Sequence, residues 1–116
     1  MTEQKLPHDH GHSLPAVLPG QEHFSAVAQV YKLLADPSRL RIFWLLCHWE
    51  ECVTNISAMV QMSAPAVSHH LRLLTASGLL ISRREGKEVY YRAADTQQVR
   101  LLHEMIETIE QLTCLQ

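Results

Sequence analysis

Cysteine is scarce in this sequence. Its 116 residues hold three, Cys47, Cys52 and Cys114. They are too few and too scattered for a disulfide framework, so reduced thiols are expected, usable as ligands or redox sensors. Long apolar runs are also missing, which excludes a membrane-spanning helix and any membrane partner of that kind. No basic-then-apolar segment opens the chain, and a cytoplasmic protein is expected. There is no Gly-rich phosphate loop, no nucleophile elbow and no His-Glu-x-x-His pair, so nothing points to an enzyme. Strong net charge is lacking too, the formal balance being −2. A chain of this length fits one domain with a modest core.

The distribution of charge says more than its sum. Between Ala66 and Arg92 five cations (Arg72, Arg83, Arg84, Lys87, Arg92) face two carboxylates, Glu85 and Glu88. From Asp95 onward one cation, Arg100, faces four carboxylates. A basic stretch joined to an acidic tail is a local electrostatic footprint that permits phosphate binding.

The stretch Ser63-Ala-Pro-Ala-Val-Ser-His-His-Leu-Arg-Leu-Leu74 predicts a helix with two unlike faces. Ser63 suits the N-cap, and Pro65 is tolerated in a first turn, where its missing N–H costs nothing. Val67, Leu71 and Leu74 recur at helical spacing and give a face to bury. Ser63, Ser68, His69 and Arg72 remain on the polar side, a set suited to base edges and phosphates in a DNA major groove. A short helix from Asn55 to Val60, capped by Thr54, precedes it across the Gln61-Met62 turn. Two short helices so closely joined read as a helix-turn-helix.

Around this motif the chain orders itself. Residues 1–20, rich in His and Pro, read as a flexible arm, and 21–116 as the folded domain. A first helix is expected over Glu22–Ala35. Asp36-Pro37 ends it and starts a second, strongly apolar helix through Cys47, with Asp36 as N-cap. Glu50–Val53 is a short extended link. Ser77-Gly78 closes the reading helix with glycine at the left-handed position. Leu79–Arg84 and Glu88–Arg92 read as two strands around Glu85-Gly86-Lys87, a hairpin wing bringing Arg83, Arg84, Lys87 and Tyr91 to the DNA backbone. Asp95 and Gln98 form a capping box for a last helix reaching about Leu112. Its apolar stripe (Val99, Leu102, Met105 or Ile106, Ile109, Leu112), with the first helix, is the expected dimer interface. The expected class is mainly α (α+β): a winged helix-turn-helix of five helices and a two-stranded wing, assembling as a homodimer.

Leu34-Ala-Asp-Pro-Ser-Arg-Leu-Arg-Ile42, the Glu50–Val53 link, Val67-Ser-His-His-Leu71 and the Arg84-Glu-Gly-Lys87…Tyr90-Tyr91 wing together resemble the ArsR/SmtB family of bacterial metal-sensing repressors. The resemblance runs from about Phe24 to the C-terminus. It implies a winged-helix homodimer that binds a double-stranded operator palindrome and leaves it when an inducer, usually a metal ion, binds.

The resemblance also locates candidate ligands. Family members carry Glu-Leu-Cys-Val followed by Cys-Asp or Gly-Asp at the start of the short helix. Here the same place reads Glu50-Glu-Cys-Val-Thr-Asn55, so Cys52 matches while Thr54 and Asn55 replace the second Cys and the Asp. The remaining ligands would come from the arm of the other subunit, which offers His8, Asp9, His10 and His12, with His23 just beyond. One thiolate plus imidazoles suits Zn²⁺ first, then Cd²⁺, Ni²⁺ or Co²⁺. The family's other common site, on the last helices, is lost: Gln97 stands where a His is needed, and Thr108 and Gln111 replace the later pair. His103, Glu107, Glu110 and Cys114 form one polar stripe on that helix, read as its solvated face, the alternative being that two such stripes build a different site across a dimer. An alternative keeps the DNA binding and makes Cys47 and Cys114 a thiol pair answering to oxidants or sulfur species.

Overall fold

The computed structural model describes Pro7, His8, Gly11 and residues 18–114. Its elements run α1 (Gln21–Leu33), α2 (Pro37–His48), β1 (Glu51–Cys52), α3 (Val53–Val60), α4 (Ala64–Ala76), β2 (Leu80–Glu85), β3 (Glu88–Ala93) and α5 (Gln97–Cys114). Two compact units divide the chain, residues 1–31 and 32–116. In the first, α1 carries no buried side chain, and Phe24, Val27 and Tyr31 stand exposed.

In the second unit, sequence logic and packing agree. Asp36 caps α2 by accepting the Arg39 N–H at 2.9 Å, and that bond, ahead of the charges of His70 and Arg39, holds its carboxyl below the usual value. Ile42, Phe43, Leu45 and Leu46 of α2 meet Ile56 and Val60 of α3 and Val67, Leu71 and Leu74 of α4 in the core. Each such side chain contributes roughly 1.5–3 kcal/mol on burial. Leu79, Leu80, Val99 and Leu102 extend the core toward the sheet and α5.

The turn between α3 and α4 is tight because Gln61 adopts φ 56°, a left-handed backbone. Its N–H and that of Met62 both donate to the Ser57 carbonyl. Ser63 caps α4 as expected, its Oγ accepting from the Ala66 N–H at 3.3 Å. Gly78, at φ 84°, closes α4: the Gly78 N–H donates to the Thr75 carbonyl and that of Leu79 to the Leu74 carbonyl. This pair of bonds is a Schellman closure, for which glycine is the favoured residue.

Three sequence expectations are corrected. The Glu50–Val53 link is not merely extended: Glu51 pairs with Tyr91 and Cys52 with Tyr90, giving an antiparallel sheet of order β1-β3-β2. The wing hairpin is therefore anchored by a third strand. The short helix starts at Val53 with Cys52, not Thr54, in the capping place and no side-chain cap bond. At α5, Thr96 rather than Asp95 supplies the cap, its Oγ1 accepting from the Val99 N–H at 3.2 Å, while Asp95 pairs with Arg100 at 2.7 Å. The strands otherwise fall where expected, with Glu85 opposite Glu88 across Gly86-Lys87. Gly86 has φ 62°, as the first position of a type II′ turn requires.

Candidate nucleic-acid interface

A polar contact helps seat the reading helix beside its apolar face. His70 is buried on α4, and its Nδ1 accepts from Arg39 Nε on α2 at 3.3 Å; Arg39 also donates to the Leu33 carbonyl at 3.0 Å. Burial depresses the His70 pKa against the opposing pull of Asp36, with Arg39 and His69 lowering it further. The neutral ring is thus the form that joins α4 to α2. With His70 turned inward, Ser68 and Arg72 are left on the outward side beside exposed His69 and Ser63.

Ser68, Arg72, Thr75 and Ala76 of α4 line one cleft with Ser82 and Tyr91 of the wing. Its volume is about 430 Å³. The structure therefore brings Ser68, Arg72 and Tyr91 onto one concave surface. Ser63 and His69 lie on the same helix outside that lining, and Arg84 and Lys87 are exposed further along the hairpin.

The wing cations divide into two kinds. Arg83 is engaged internally, with Nε and an Nη on Glu50 Oε1 at 2.9 and 2.7 Å and its other Nη on Glu85 at 2.6 Å. Its guanidinium also lies over the Tyr90 ring, 4.8 Å from the centroid. Hydrogen bonds from Arg83 hold the Glu50 carboxyl below its usual range, and the charges of Arg83 and Arg92 add to this. The partnership in turn raises the Arg83 pKa. Arg84 and Lys87 form no ion pair with any described residue, so their charge is directed to solvent.

The candidate ligands are more dispersed. Cys52 is 7 % exposed, in β1 at the entry to α3. His8 is exposed, as is His23 within α1; Asp9, His10 and His12 lie outside the described residues. For the thiol pair, Cys114 is exposed and Cys47 half-buried. Burial, assisted by the Glu107 charge, pushes the Cys47 thiol up to about 11, the reverse of what a thiolate sensor needs.

One cluster escaped sequence reasoning. His48, at the end of α2, has its Nε2 3.0 Å from Glu107 Oε1 and 3.0 Å from His103 Nε2. His103 Nε2 is 2.7 Å from the same Glu107 oxygen. Burial alone would raise the Glu107 pKa, but its two imidazole partners hold it low. Thus half of the polar stripe read as solvated turns against α2. Nothing in the spacing of α5 residues points to His48, which lies 55 positions from His103.

A helix-turn-helix whose reading helix shares a cleft with an anchored β-wing defines the winged-helix class of transcription regulators, DNA-binding proteins rather than enzymes. Residues 36–82 match the family model described as bacterial regulatory protein, arsR family. A transcriptional repressor SmtB homolog from Synechocystis sp. is 39% identical over 85 residues, 73% of this chain and 64% of that protein. A cadmium resistance transcriptional regulatory protein CadC homolog from Staphylococcus aureus is 41% identical over 70 residues, 60% of this chain and 58% of its own. The chain thus spans under two thirds of the length of either relative. Among solved structures, the NMR structure of a homodimeric winged helix-turn-helix domain from Mycobacterium bovis, a possible ArsR-family regulator, superposes with TM-score 0.67 at 33% identity. That alignment covers 79% of this chain and 89% of the other. The chain belongs to the arsR family of bacterial transcription regulators.

No helix among the described residues is long and apolar enough to cross a membrane.

Proposed function

We propose that this regulator is a cytoplasmic, homodimeric repressor that binds an operator palindrome in double-stranded DNA and is released by a metal ion. The carrying observation is the cleft that joins Ser68 and Arg72 of α4 to Tyr91 of the wing. With α4 in a major groove, Ser63, Ser68, His69 and Arg72 meet base edges. Arg84, Lys87 and Tyr91 meet phosphates at the flank, and these contacts fix register rather than sequence. Arg83 braces the wing through Glu50 and Glu85 rather than holding phosphate.

The homodimer is supported by a second apolar face on α5. Val99 and Leu102 are buried, while Leu101, Met105, Ile109 and Leu112 are exposed at helical spacing on the other side. Four such side chains would contribute several kcal/mol when covered by a second copy. The homodimeric state of the Mycobacterium bovis relative supports the same assembly, as do the exposed Phe24, Val27 and Tyr31 of α1.

The inducer is a thiophilic or borderline divalent ion, Zn²⁺ first, with Cd²⁺, Ni²⁺ or Co²⁺ of the same donor preference. Cys52 fits the ligand role because its sulfur makes no cap hydrogen bond to α3; His8, His10 and His12 of the partner subunit would complete the set. The cadmium-resistance regulator among its relatives supports a metal effector. Release requires only that the ion bind the DNA-unfit form more tightly, with a coupling of about 1–3 kcal/mol.

The test is fluorescence anisotropy on duplex DNA from the chain's own upstream region at fixed salt, titrated with Zn²⁺. Release by Zn²⁺ that Cys52→Ser abolishes is the expected result. Tight binding indifferent to Zn²⁺, Cd²⁺, Ni²⁺ and Co²⁺ would overturn the metal-inducer reading, and absence of DNA binding the repressor reading itself.

A further inference from the structure

We propose that His48, His103 and Glu107 form a second divalent-cation site, built within one protomer between the end of α2 and the middle of α5. These are the three described residues whose ligating atoms converge, all lying within 4.8 Å of one another. The two imidazoles and the carboxylate come from elements that the core already packs together, since Leu45, Leu46 and Leu102 are buried alongside.

Proton bookkeeping points to a cation at the centre. Three atoms, two Nε2 and one Oε1, lie mutually 2.7 to 3.0 Å apart. Without a metal, no assignment of protons makes all three contacts favourable. If both imidazoles donate to Glu107, the two nitrogens sit 3.0 Å apart with no hydrogen bond between them. If one imidazole accepts from the other, its lone pair faces the carboxylate oxygen. A cation in the middle accepts all three lone pairs and removes the conflict.

Metrics and donor type agree. Tetrahedral zinc with bonds of about 2.0–2.1 Å sets its ligand atoms about 3.3 Å apart. The trio needs to open by only a few tenths of an ångström, well within side-chain adjustment for groups about one third exposed. Two imidazoles and one carboxylate suit Zn²⁺, Co²⁺ or Ni²⁺ and leave a fourth position for water. Glu107 also lines a cleft of about 410 Å³ with Trp44, Leu40, Ile106 and Glu110, which gives an ion its route in.

The site carries its own reporter. The chain has two tryptophans, and both pack on His48, with ring centroids 4.3 Å away for Trp44 and 5.5 Å for Trp49. Paramagnetic Co²⁺ bound there will quench their fluorescence at short range. Metal binding at this place stands apart from the repressor reading; only an effect of occupancy on DNA would rest on it.

The experiment titrates the full metal-free chain with Co²⁺ in the absence of DNA, following tryptophan fluorescence and the visible cobalt absorption. Expected is saturable quenching by one Co²⁺ at this site in each chain, with affinity lowered at least tenfold by His103→Gln and by Glu107→Gln. Zn²⁺ should displace the cobalt and restore the emission. Circular dichroism checks the fold of each variant, and two independent substitutions on α5 keep the outcome from hanging on one. Quenching that survives both α5 substitutions, or that Cys52→Ser abolishes with loss of a sulfur-to-cobalt charge-transfer band, would overturn the site. So would absence of quenching in the wild-type chain.

Discussion

Lys87 and Arg83 lie four residues apart on the same hairpin, and their effects on DNA binding should differ in kind. Lys87 occupies the second position of the II′ turn, exposed and without an ion pair to any described residue. Arg83 is held by Glu50 and Glu85 at 2.7 and 2.6 Å. Each phosphate neutralised by a protein cation lowers the slope of log K against log salt by about 0.9. Lys87→Ala in a symmetric dimer removes two such contacts, so the slope should become shallower by about 1.8. Between 50 mM and 200 mM salt this amounts to about one decade: the variant's deficit at low salt should shrink roughly tenfold at high salt. Arg83→Ala releases carboxylates rather than phosphates, so binding weakens while the slope moves by less than about half as much. Solvent-exposed pairs contribute only about 0–1 kcal/mol to stability, so neither variant should unfold the domain. Anisotropy on one duplex across a salt series reads both slopes. Equal slope changes for the two variants, or a change confined to Arg83→Ala, would refute the division of the wing into bracing and contacting cations.

Three further outcomes follow from the seating of α4. Leu71, 1 % exposed beneath the reading helix, should cost about 2–5 kcal/mol as Leu71→Ala, seen as a lower urea midpoint at unchanged slope. Ser63→Ala should cost about 1 kcal/mol through the lost Ala66 cap, measurable by the same denaturation. His70 has a folded pKa below its ordinary 6.5, so in that window the unfolded chain binds more protons and stability rises with pH. The contribution is complete above about pH 6.5 and is lost as pH falls toward the folded pKa; urea midpoints from pH 7 to pH 5 should decline, and less so in His70→Gln.

Much of this was legible because local signals coincide with packing. Asp36-Pro37, Ser63 and Gly78 each state a helix boundary in a chemistry that tertiary structure has no reason to override, and all three sit where expected. The alternation after Gly78 likewise carries its own hairpin. What the sequence did not disclose depends on partners distant along the chain. Glu51 and Cys52 form a strand only because Tyr90 and Tyr91 arrive beside them, and two residues carry no detectable period. Arg83 looks like any wing cation until Glu50, 33 positions away, closes on it. His48 has no ligand spacing within α2; its chemistry exists only through α5. At Thr96, two neighbouring residues were both competent caps, and propensity does not choose between adjacent competent side chains.

The Schellman closure at Gly78 has a mechanical meaning. Between the end of α4 and the start of β2 there is no slack: the N–H groups of Ser77, Gly78 and Leu79 donate to the Leu73, Thr75 and Leu74 carbonyls, and the Leu79 carbonyl is held by the Ala94 N–H. Leu79 itself is 1 % exposed. Reader and wing therefore act as one jaw with a welded joint. A signal cannot loosen the wing from the reader without breaking that weld, so in the proposed homodimer the cheap degree of freedom lies between the jaws of the two copies. DNA presents successive major-groove faces at a repeat of about 34–36 Å. An inducer that tilts one jaw against the other would spoil the fit to this ruler while leaving every contact surface intact.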